Sequence, residues 1–514
     1  MNYPGFGRRT RCALLAALFG AAISNLASAQ EELSPDEIVS LTERYCAACH
    51  ALPPPGLLPR RSWPSVIDAM VALARNITGT DFIPEQHVPH IKALYYGSAP
   101  EALPLLPYID QASEHLSFEP APLGKPSEIP QVVVIEAVNL GLGQPGEQQF
   151  LITDSELGEV RLSTARWDGE QGLSWHERSL AQITIPVSVQ VVDFNGNGRK
   201  DILVADLGVL PPIERLAGKV YVLEQTPEGD FEQRLLLQNL GRTTDARAVD
   251  LNGNGLLDIA VAVFGGGRVG EVFWLENEGG DNYTRHQLLP LAGALNVTPV
   301  DLNGNGHMDL VTFVTQEHEA IIAFINDGHG EFTQLEIARA GHPMFGGTSL
   351  RIHDMTGNGL PDIVFSNGDA FDTQNDPKPY HGVQWLENLG DLNFEFRDIG
   401  RFYGAVNMAI GDLTGNGRPD VVVSSWLNHW EDPERQSLVW YENQGQGEFV
   451  ARPISGHVRG MVPIALADLS GDGRLDILAG AFRMDILHAR FRGRDSPGAE
   501  PGPRLMWFRN RALD

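Results

Sequence analysis

Residues 250–258 read DLNGNGLLD, and five further stretches of the chain repeat this pattern. They are DFNGNGRKD at 193–201, DLNGNGHMD at 301–309, DMTGNGLPD at 354–362, DLTGNGRPD at 412–420 and DLSGDGRLD at 468–476. Successive copies begin 57, 51, 53, 58 and 56 residues apart. A repeat of this length predicts a unit of several strands, as in the blades of a propeller.

The sequence on either side of each loop is typical of β-strands. An apolar run such as residues 259–262 follows the loop directly, and a second run ends near a Trp-x-Glu-Asn stretch, for example at 274–277 or 385–388. Strand and turn signals alternate, so we predict an all-β region. A degenerate unit, with runs at 132–139, 150–154 and 160–162 but no acidic loop, precedes the six copies. The region from 131 to 514 therefore predicts a seven-bladed β-propeller.

The last unit lacks the outer strand that the internal units have. Those units end in runs such as 332–337 and 394–399, whereas the chain stops soon after residues 507–510. We expect residues 115–119, just before the first blade, to supply the missing strand and close the ring. Such closure would hold the amino-terminal segment beside the first and last blades.

The spacing within each loop predicts a calcium site. Side-chain oxygens stand at positions 1, 3, 5 and 9, a main-chain carbonyl is available at position 7, and Gly at position 6 allows a sharp turn. Positions 1 to 7 follow the logic of an EF-hand loop, but position 12 is apolar, so the Asp at position 9 must substitute for the bidentate Glu. Up to six calcium ions are expected, with affinity on the order of 10⁻⁴ M.

The predicted ligands are, loop by loop, Asp193, Asn195, Asn197, Arg199 and Asp201; Asp250, Asn252, Asn254, Leu256 and Asp258; Asp301, Asn303, Asn305, His307 and Asp309; Asp354, Thr356, Asn358, Leu360 and Asp362; Asp412, Thr414, Asn416, Arg418 and Asp420; Asp468, Ser470, Asp472, Arg474 and Asp476. The fourth residue of each set contributes its carbonyl. These loops resemble those of FG-GAP/VCBS-repeat propellers, including integrin α chains, over residues 131–514. The resemblance implies a calcium-binding propeller.

The motif Cys46-Ala47-Ala48-Cys49-His50 is the attachment signature of a c-type haem. We predict one covalent haem, with Cys46 and Cys49 as thioether donors and His50 as the proximal iron ligand. Ser34, Pro35 and Glu37 predict the start of the helix that leads to Cys46, since they form a capping box with Pro in the first turn.

Met70 is the expected sixth iron ligand. It lies in a helix predicted from Ser62 to about residue 74, and the order Cys-x-x-Cys-His, Arg-x-x-Trp, Val-x-x-x-Met resembles small cytochrome c domains in which that Met binds iron. The resemblance implies a small all-α cytochrome c-like domain at 30–112, followed by a linker at 113–130 that contains the closing strand. His87 and His90 are the alternative ligands. A Met ligand would raise the reduction potential relative to a second imidazole.

The first residues indicate export. Arg8, Arg9 and Arg11 precede an apolar run at 12–23 and a small-residue stretch at 27–29, so residues 1–29 predict a signal peptide and a periplasmic or secreted protein. No later run approaches the length of a membrane span. With 38 basic and 66 acidic residues, the net charge of −28 excludes nucleic acid and favours a basic protein partner.

Two functions fit these motifs. The favoured hypothesis is a periplasmic monohaem cytochrome in electron transfer, with the propeller as a docking or ligand-binding platform. The alternative is a propeller oxidoreductase whose haem accepts substrate electrons. No catalytic motif stands out. The insertions at 369–381, 426–436 and 484–504 are longer than a connection between strands needs, and long loops of this kind often carry function. Candidate channel-end residues are Arg242, Asp245, Asn296, Phe345, Tyr403, Asn407, His457 and Arg459.

Overall fold

The computed structural model describes residues 33–48, 50–169, 172–210, 213–266, 269–316, 318–369, 376–456, 458–483 and 501–513. The predicted signal peptide lies outside these residues. Seven four-stranded antiparallel sheets follow one another along the chain. The prediction of a seven-bladed β-propeller is therefore confirmed.

The strands of the seven blades have the following bounds. Blade 1 contains β2 (Val132–Val138), β3 (Glu147–Asp154), β4 (Glu159–Trp167) and β5 (Leu173–Gln182); blade 2 contains β6 (Pro186–Val192), β7 (Asp201–Asp206), β8 (Gly218–Gln225) and β9 (Phe231–Leu240). Blade 3 contains β10 (Thr243–Val249), β11 (Asp258–Val263), β12 (Glu271–Gly279) and β13 (Asn282–Leu289); blade 4 contains β14 (Thr298–Val300), β15 (Asp309–Val314), β16 (Ala320–Asn326) and β17 (Phe332–Arg339). Blade 5 contains β18 (Gly347–His353), β19 (Asp362–Asn367), β20 (Gly382–Asn388) and β21 (Phe394–Arg401); blade 6 contains β22 (Ala405–Gly411), β23 (Asp420–Ser425), β24 (Leu438–Gly445) and β25 (Glu448–Ser455). Blade 7 contains β26 (Met461–Ala467), β27 (Asp476–Ala481), β28 (Leu505–Ala512) and β1 (Leu116–Leu123).

Blade 7 is built from both ends of the propeller sequence. β1 pairs antiparallel with β28, from Leu116 opposite Ala512 to Leu123 opposite Leu505. The first of these strands begins within the stretch 115–119 that the sequence analysis singled out. Pairing the two ends covers the third strand of blade 7, which an open ring would leave with an exposed edge.

The second strand of each loop-bearing blade is buried along its whole length. β7, β11, β15, β19, β23 and β27 have six buried residues each. Their apolar side chains pack between neighbouring blades; for example, Leu203 of blade 2 and Val261 of blade 3 lie in one cluster. Because both faces of these strands are covered, their sequences are continuous apolar runs instead of alternating ones.

Amides at the end of the third strands connect one blade to the loop of the blade before it. Asn326 Nδ2 donates to the Leu251 carbonyl at 2.8 Å, and Asn388 Nδ2 donates to the Leu302 carbonyl at 3.1 Å. Asn510 repeats this contact with Leu413 at 2.8 Å. These hydrogen bonds explain why the third strand carries Asn at this position in these blades.

Three helices precede the propeller: α1 (Pro35–Cys46), α2 (Trp63–Thr78) and α3 (Val88–Ser98), with short 3-10 turns at Pro55–Leu57 and Glu85–His87. The predicted capping box of α1 is confirmed, since Ser34 Oγ accepts from the Glu37 amide and the Glu37 carboxylate accepts from the Ser34 amide. None of the helices in the described ranges is long and apolar enough to cross a membrane.

The prediction of a separate all-α cytochrome c-like domain at 30–112 was wrong. In the described residues the helices share one hydrophobic cluster with the propeller, in which Trp63 and Tyr95 pack with Tyr380 and Met344. Asp376 accepts hydrogen bonds from Arg61 at 2.5 Å and from Ser62 Oγ at 2.7 Å. The helices are thus a segment whose hydrophobic cluster is continued by Tyr380 of blade 5, not a domain separate from the propeller. They lie against this blade and not, as we expected, beside the first and last ones.

The chain between α3 and β1 is fastened along its length to blades 5 and 6. We call residues 102–113 the strap. The Leu106 amide donates to the Tyr403 hydroxyl at 2.7 Å, and Arg435 Nη1 donates to the Leu106 carbonyl at 3.0 Å. Further along, Tyr108 donates to Asp432 at 2.8 Å. The strap therefore fixes the helical segment to the propeller from a second side.

Replacing Tyr403 by Phe should loosen the strap. The change removes the acceptor of the Leu106 amide, a loss of about 1 kcal/mol for a net hydrogen bond, and leaves the ring in place. We expect faster proteolytic cleavage within the strap, measured by limited digestion and mass spectrometry. Tyr221→Phe, in β8 away from the strap, is the control. Equal cleavage of the wild type and Tyr403→Phe would contradict this assignment.

Candidate functional site

The Asp at position 1 of each loop organises the turn through main-chain amides. Asp250 Oδ1 accepts from Gly253 at 2.8 Å and Oδ2 accepts from Gly255 at 2.9 Å. Both glycines have a left-handed backbone, with φ of 74° and 83°. Amides of the turn are bound in a similar way by Asp193, Asp301, Asp354, Asp412 and Asp468. The sequence analysis explained the glycine at position 6 but missed the one at position 4.

The side-chain oxygen at position 5 of each loop accepts a hydrogen bond from the main-chain amide at position 7. Asn254 Oδ1 accepts from the Leu256 amide at 2.7 Å, and Asp472 Oδ1 accepts from the Arg474 amide at 3.1 Å in the last loop. Equivalent bonds occur at Asn197, Asn305, Asn358 and Asn416. The turn therefore gathers the side-chain oxygens of positions 1 and 5 on its exposed side.

The Asp at position 9 is buried and clamps two parts of its blade together. Asp258 Oδ2 accepts from the Leu251 amide at 2.8 Å, at the start of the loop, and Oδ1 accepts from the Asn277 amide at 2.7 Å, near the end of β12. Both bonds recur in all six loops, at Asp201, Asp309, Asp362, Asp420 and Asp476. Sequence spacing could not reveal this second role, because the partner amide lies on the third strand.

These six carboxylates have no cationic partner among the residues that the structure describes. Each is fully buried, and in the described residues none forms an ion pair. Burial raises the pKa of Asp420 and Asp476 to about 6 and raises the pKa of Asp201, Asp258, Asp309 and Asp362 as well. A buried charge is normally paired or bound to a metal.

Blade 1 provides an internal comparison. In this blade Gln149 stands where the others have the position-9 Asp, and its Oε1 accepts from the Leu140 amide at 2.8 Å. The bond to the loop is thus kept with a neutral side chain in the blade whose loop lacks the acidic pattern, but no bond to the third strand accompanies it. A carboxylate appears where the loop could bring a cation next to it.

The loops do not form an acidic cluster of the usual metal-site kind. Across the described ranges no three His, Cys, Asp or Glu side chains are grouped to hold a metal ion, and this includes the three acids of the last loop. The oxygens that each loop offers are mixed: a half-buried Asp at position 1, hydroxyl, amide or, at Asp472, carboxylate oxygens at positions 3 and 5, and a buried Asp at position 9. Hard cations such as calcium accept such mixed oxygen ligands, so the donor set fits calcium.

The predicted haem motif follows α1 directly. Cys46 is the last residue of α1 and packs in the cluster of the helical segment, and this burial raises the pKa of its thiol to about 11. Cys49 lies outside the described residues. The Nδ1 atom of His50 lies 2.9 Å from the carbonyl oxygen of Ala51. A donor role for Nδ1 leaves the Nε2 lone pair free, which is the arrangement of a metal-binding imidazole.

Helix α2 carries an apolar stripe that the described residues cover only in part. Trp63 and Ile67 are buried, but Met70, Leu73 and Ile77 are 41%, 40% and 39% exposed. The spacing of three and four residues places these three side chains on one face of the helix. Met70 is therefore a surface residue of the helical segment and not part of its core.

The alternative iron ligands have different surroundings. His87 Nδ1 lies 3.1 Å from the Tyr45 hydroxyl, and the two rings lie 5.7 Å apart between centroids. His90 is partly buried within α3. His87 is thus already engaged at one ring nitrogen, while the exposed Met70 thioether is not enclosed by other side chains of the described residues.

The candidate channel-end residues separate into different environments. Tyr403 is buried under the strap, and Arg242 stacks on Phe264 at 4.9 Å, where burial lowers its pKa to about 10. Asp245 and Asn407 lie in the innermost strands. His457 and most of the insertion at 484–504 lie outside the described residues. The described residues thus do not bring these candidates together in one site, and their convergence at a channel end stays a prediction.

Comparison with known families supports the repeat assignment. A family model for FG-GAP-like repeats matches residues 250–312 and 428–479. The matched parts cover the loops of blades 3, 4 and 7 with all or most of the buried strands that follow them, and the third and fourth strands of blade 6, so the chain carries FG-GAP-like repeats. No curated protein matches the chain.

Proposed function

We propose that this chain is an exported electron-transfer protein that carries one haem c on its helical segment and uses a calcium-stabilised propeller as a docking or ligand-binding platform. The exposed stripe of Met70, Leu73 and Ile77, in the same helical segment as the Cys-x-x-Cys-His motif, is the observation that carries the haem part. An uncovered apolar stripe of this kind normally marks a binding surface.

The chain's own residues suit haem attachment. Cys46 and Cys49 would form the two thioether bonds, and the His50 Nε2 atom is available for iron because Nδ1 faces a carbonyl oxygen. Met70 would contribute its thioether from the exposed stripe. The bound haem would supply a one-electron carrier, whose potential a Met ligand raises relative to a second His.

The propeller part rests on the six buried carboxylates. Calcium beside each would neutralise a charge that the described residues leave uncompensated. The net charge of −28 gives the surface a negative potential, which would attract a basic redox partner and speed association at low salt. Export through the amino-terminal signal would place the protein where calcium is abundant and thioether attachment takes place.

Covalent haem is the first property to test. The full chain is expressed together with a haem-attachment system, and haem is measured in the denatured protein. We expect haem to stay with the wild-type chain and to be lost from Cys46→Ala and Cys49→Ala. Cys12→Ala, which alters the cysteine of the predicted signal, is the control and should retain haem. A wild-type chain without covalent haem would refute the proposal.

Met70 can be tested against its neighbour on the stripe. Met70→Ala should abolish the sulfur-to-iron band of the ferric protein and lower the reduction potential. Leu73→Ala is the matched control, since Leu73 is 40% exposed on the same face as Met70 at 41%. If both variants keep the band, or if the wild type lacks it, Met70 is not the ligand.

A further inference from the structure

The first strands of the blades surround a central channel, since first strands of neighbouring blades contact one another and blade 4 meets the first strand of blade 5 through β15. The residue that clamps the loop is Gln149 in blade 1 and the position-9 Asp in the other blades. Two residues after it, each second strand has a residue that pairs with one residue of the first strand. These seven first-strand residues lie at the same depth in the channel. On blades 1 to 5 these residues are polar: Glu136, Gln190, Arg247, Thr298 and Arg351. On blades 6 and 7 they are Ala409 and Ala465. In the order of blades 5, 6, 7 and 1 around the ring, Arg351 and Glu136 therefore lie on either side of Ala409 and Ala465. We call these four residues the charged arc.

The two charged groups at the ends of this arc, Arg351 and Glu136, form no ion pair with a residue that the structure describes. Arg351 donates to the Leu350 carbonyl at 2.9 Å and to Asn407 Oδ1 at 3.0 Å, but within the described ranges it forms no ion pair. Glu136 is exposed and accepts no hydrogen bond from a described side chain or amide. Arg247 differs, because its Nε atom lies 3.0 Å from Asp245.

The surroundings of Arg351 identify it as a channel residue. Its side chain is accessible to solvent, yet desolvation by nearby protein lowers the pKa of its guanidinium, and Glu136, Arg247 and Asp245 act on its charge. Both properties hold for a side chain that projects into a water-filled channel. Charges in such a low-dielectric enclosure interact more strongly with a ligand than they would on an open surface.

One end of the channel carries an apolar cluster. Val406, Val462 and Phe482 pack there with Val133, Trp426, Leu427 and Leu210. These residues belong to blades 6, 7 and 1 and to the loop after β7 in blade 2, so the cluster connects different sides of the ring. Its strand residues lie at the beginnings of the first strands, and Glu136 and Arg351 lie further along. The charged arc is therefore screened from solvent on that side.

We propose that the channel binds a small acid that also carries an amino or hydroxyl group. Arg351, supported by Asn407, binds the carboxylate, and Glu136 accepts a hydrogen bond from the amino or hydroxyl group. Ala409 and Ala465 place no long side chain between these two charged groups. The guanidinium and carboxylate give the bidentate, charge-assisted contacts that orient such ligands. This site deepens the ligand-binding part of the proposed function, on which it rests, and uses no residue of the helical segment.

Calorimetric titration of the full, calcium-loaded protein tests the site. The probes are small amino acids and the matching hydroxy acids, with acetate and simple amines as single-group controls. We expect binding of at least one two-group probe. Arg351→Gln should weaken binding of that probe by about tenfold or more. Arg351→Lys should weaken it less, because Lys keeps the positive charge but loses the paired N–H donors of the guanidinium. Arg339→Gln, on the outer strand β17, should bind as the wild type does.

Glu136→Gln separates the two ligand classes. Loss of its charge should weaken the binding of amino acids by about tenfold. The binding of hydroxy acids should weaken much less, because the amide oxygen of Gln still accepts a hydrogen bond from the hydroxyl group. If no probe binds at millimolar concentration, or if Arg351→Gln, Arg351→Lys and Glu136→Gln all bind as the wild type does, the site is refuted. These results are independent of haem content, which is measured separately, so failure here would not be confused with failure of the haem proposal.

Discussion

Calcium should raise the melting temperature of this protein, and a chelator should lower it. The six loops each bury one carboxylate that no described residue pairs with a positive charge. A cation that binds the folded state alone stabilises it by ligand linkage. At a hundredfold excess over the dissociation constant this amounts to about 2.7 kcal/mol for each site. The effect should therefore be large, and it should be visible in thermal scans followed by circular dichroism.

A variant that reproduces the blade 1 arrangement makes this test site-specific. Asp309→Gln gives blade 4 the neutral side chain that Gln149 provides in blade 1, where the amide oxygen still accepts from the loop. We expect this variant to bind one calcium ion fewer by equilibrium dialysis and to gain less stability from calcium. In chelator its melting temperature should lie somewhat below that of the wild type, because Gln keeps one acceptor for the Leu302 amide but loses the one that Asp309 offers to the Asn326 amide. The readout is therefore the smaller gain in melting temperature when calcium is added.

Magnesium at the same concentration serves as the ionic control, because it requires a stricter octahedral geometry than these mixed loops offer. Melting curves that coincide in chelator and in calcium would rule out the metal assignment. A calcium effect that Asp309→Gln leaves unchanged would instead assign the ion to a place other than the position-9 carboxylates.

The propeller could be predicted because its determinants are local and repeated. Each loop begins with an Asp that binds amides within five residues, as Asp250 does with Gly253 and Gly255. A feature of this kind is visible in nine residues of sequence, and six copies at a nearly constant spacing give the number of blades once the degenerate unit is counted.

The docking of the helical segment could not be predicted in the same way. Trp63 and Tyr95 are covered by Tyr380 and Met344, which lie some three hundred residues away in sequence and follow no repeat pattern. Helical periodicity predicted an apolar face for α2 but did not distinguish its buried part, Trp63 and Ile67, from its exposed part, Met70 and Leu73. That distinction depends on which partner covers each turn.

The roles of individual polar residues could not be predicted either, because they depend on partners that are distant in sequence. Tyr403 was a candidate for the channel end, but its hydroxyl accepts from the Leu106 amide of the strap. Asp420 was assigned to calcium by its position in the loop, whereas its contact with the Asn443 amide depends on the third strand. Arg351 and Glu136 are far apart in sequence and approach one another because the ring brings blades 5 and 1 to the same channel.

Replacing Arg504 should strongly destabilise the junction between blades 7 and 1. Arg504 is 5% exposed and binds two carboxylates of blade 1, Glu177 through Nη2 and Asp154 at 3.6 Å through Nη1. Burial raises the pKa of Asp154, which is itself 1% exposed. Removing the arginine leaves these buried acids with less positive charge, and breaking such a pair costs on the order of 3–5 kcal/mol.

Arg504→Met keeps most of the volume of the side chain and removes its charge, so the effect can be assigned to the ion pair. We expect a lower midpoint of denaturant unfolding and earlier exposure of β1 and β28 in hydrogen exchange. Adding Asp154→Asn should recover part of the loss, because it removes one of the unpaired buried charges. Arg511→Met is the matched control in the same sheet, since Arg511 pairs with Glu119 at 3.0 Å but both side chains are about half exposed. An exposed pair of this kind contributes at most about 1 kcal/mol, so equal losses in Arg504→Met and Arg511→Met would show that the buried pair does not hold the ring closed.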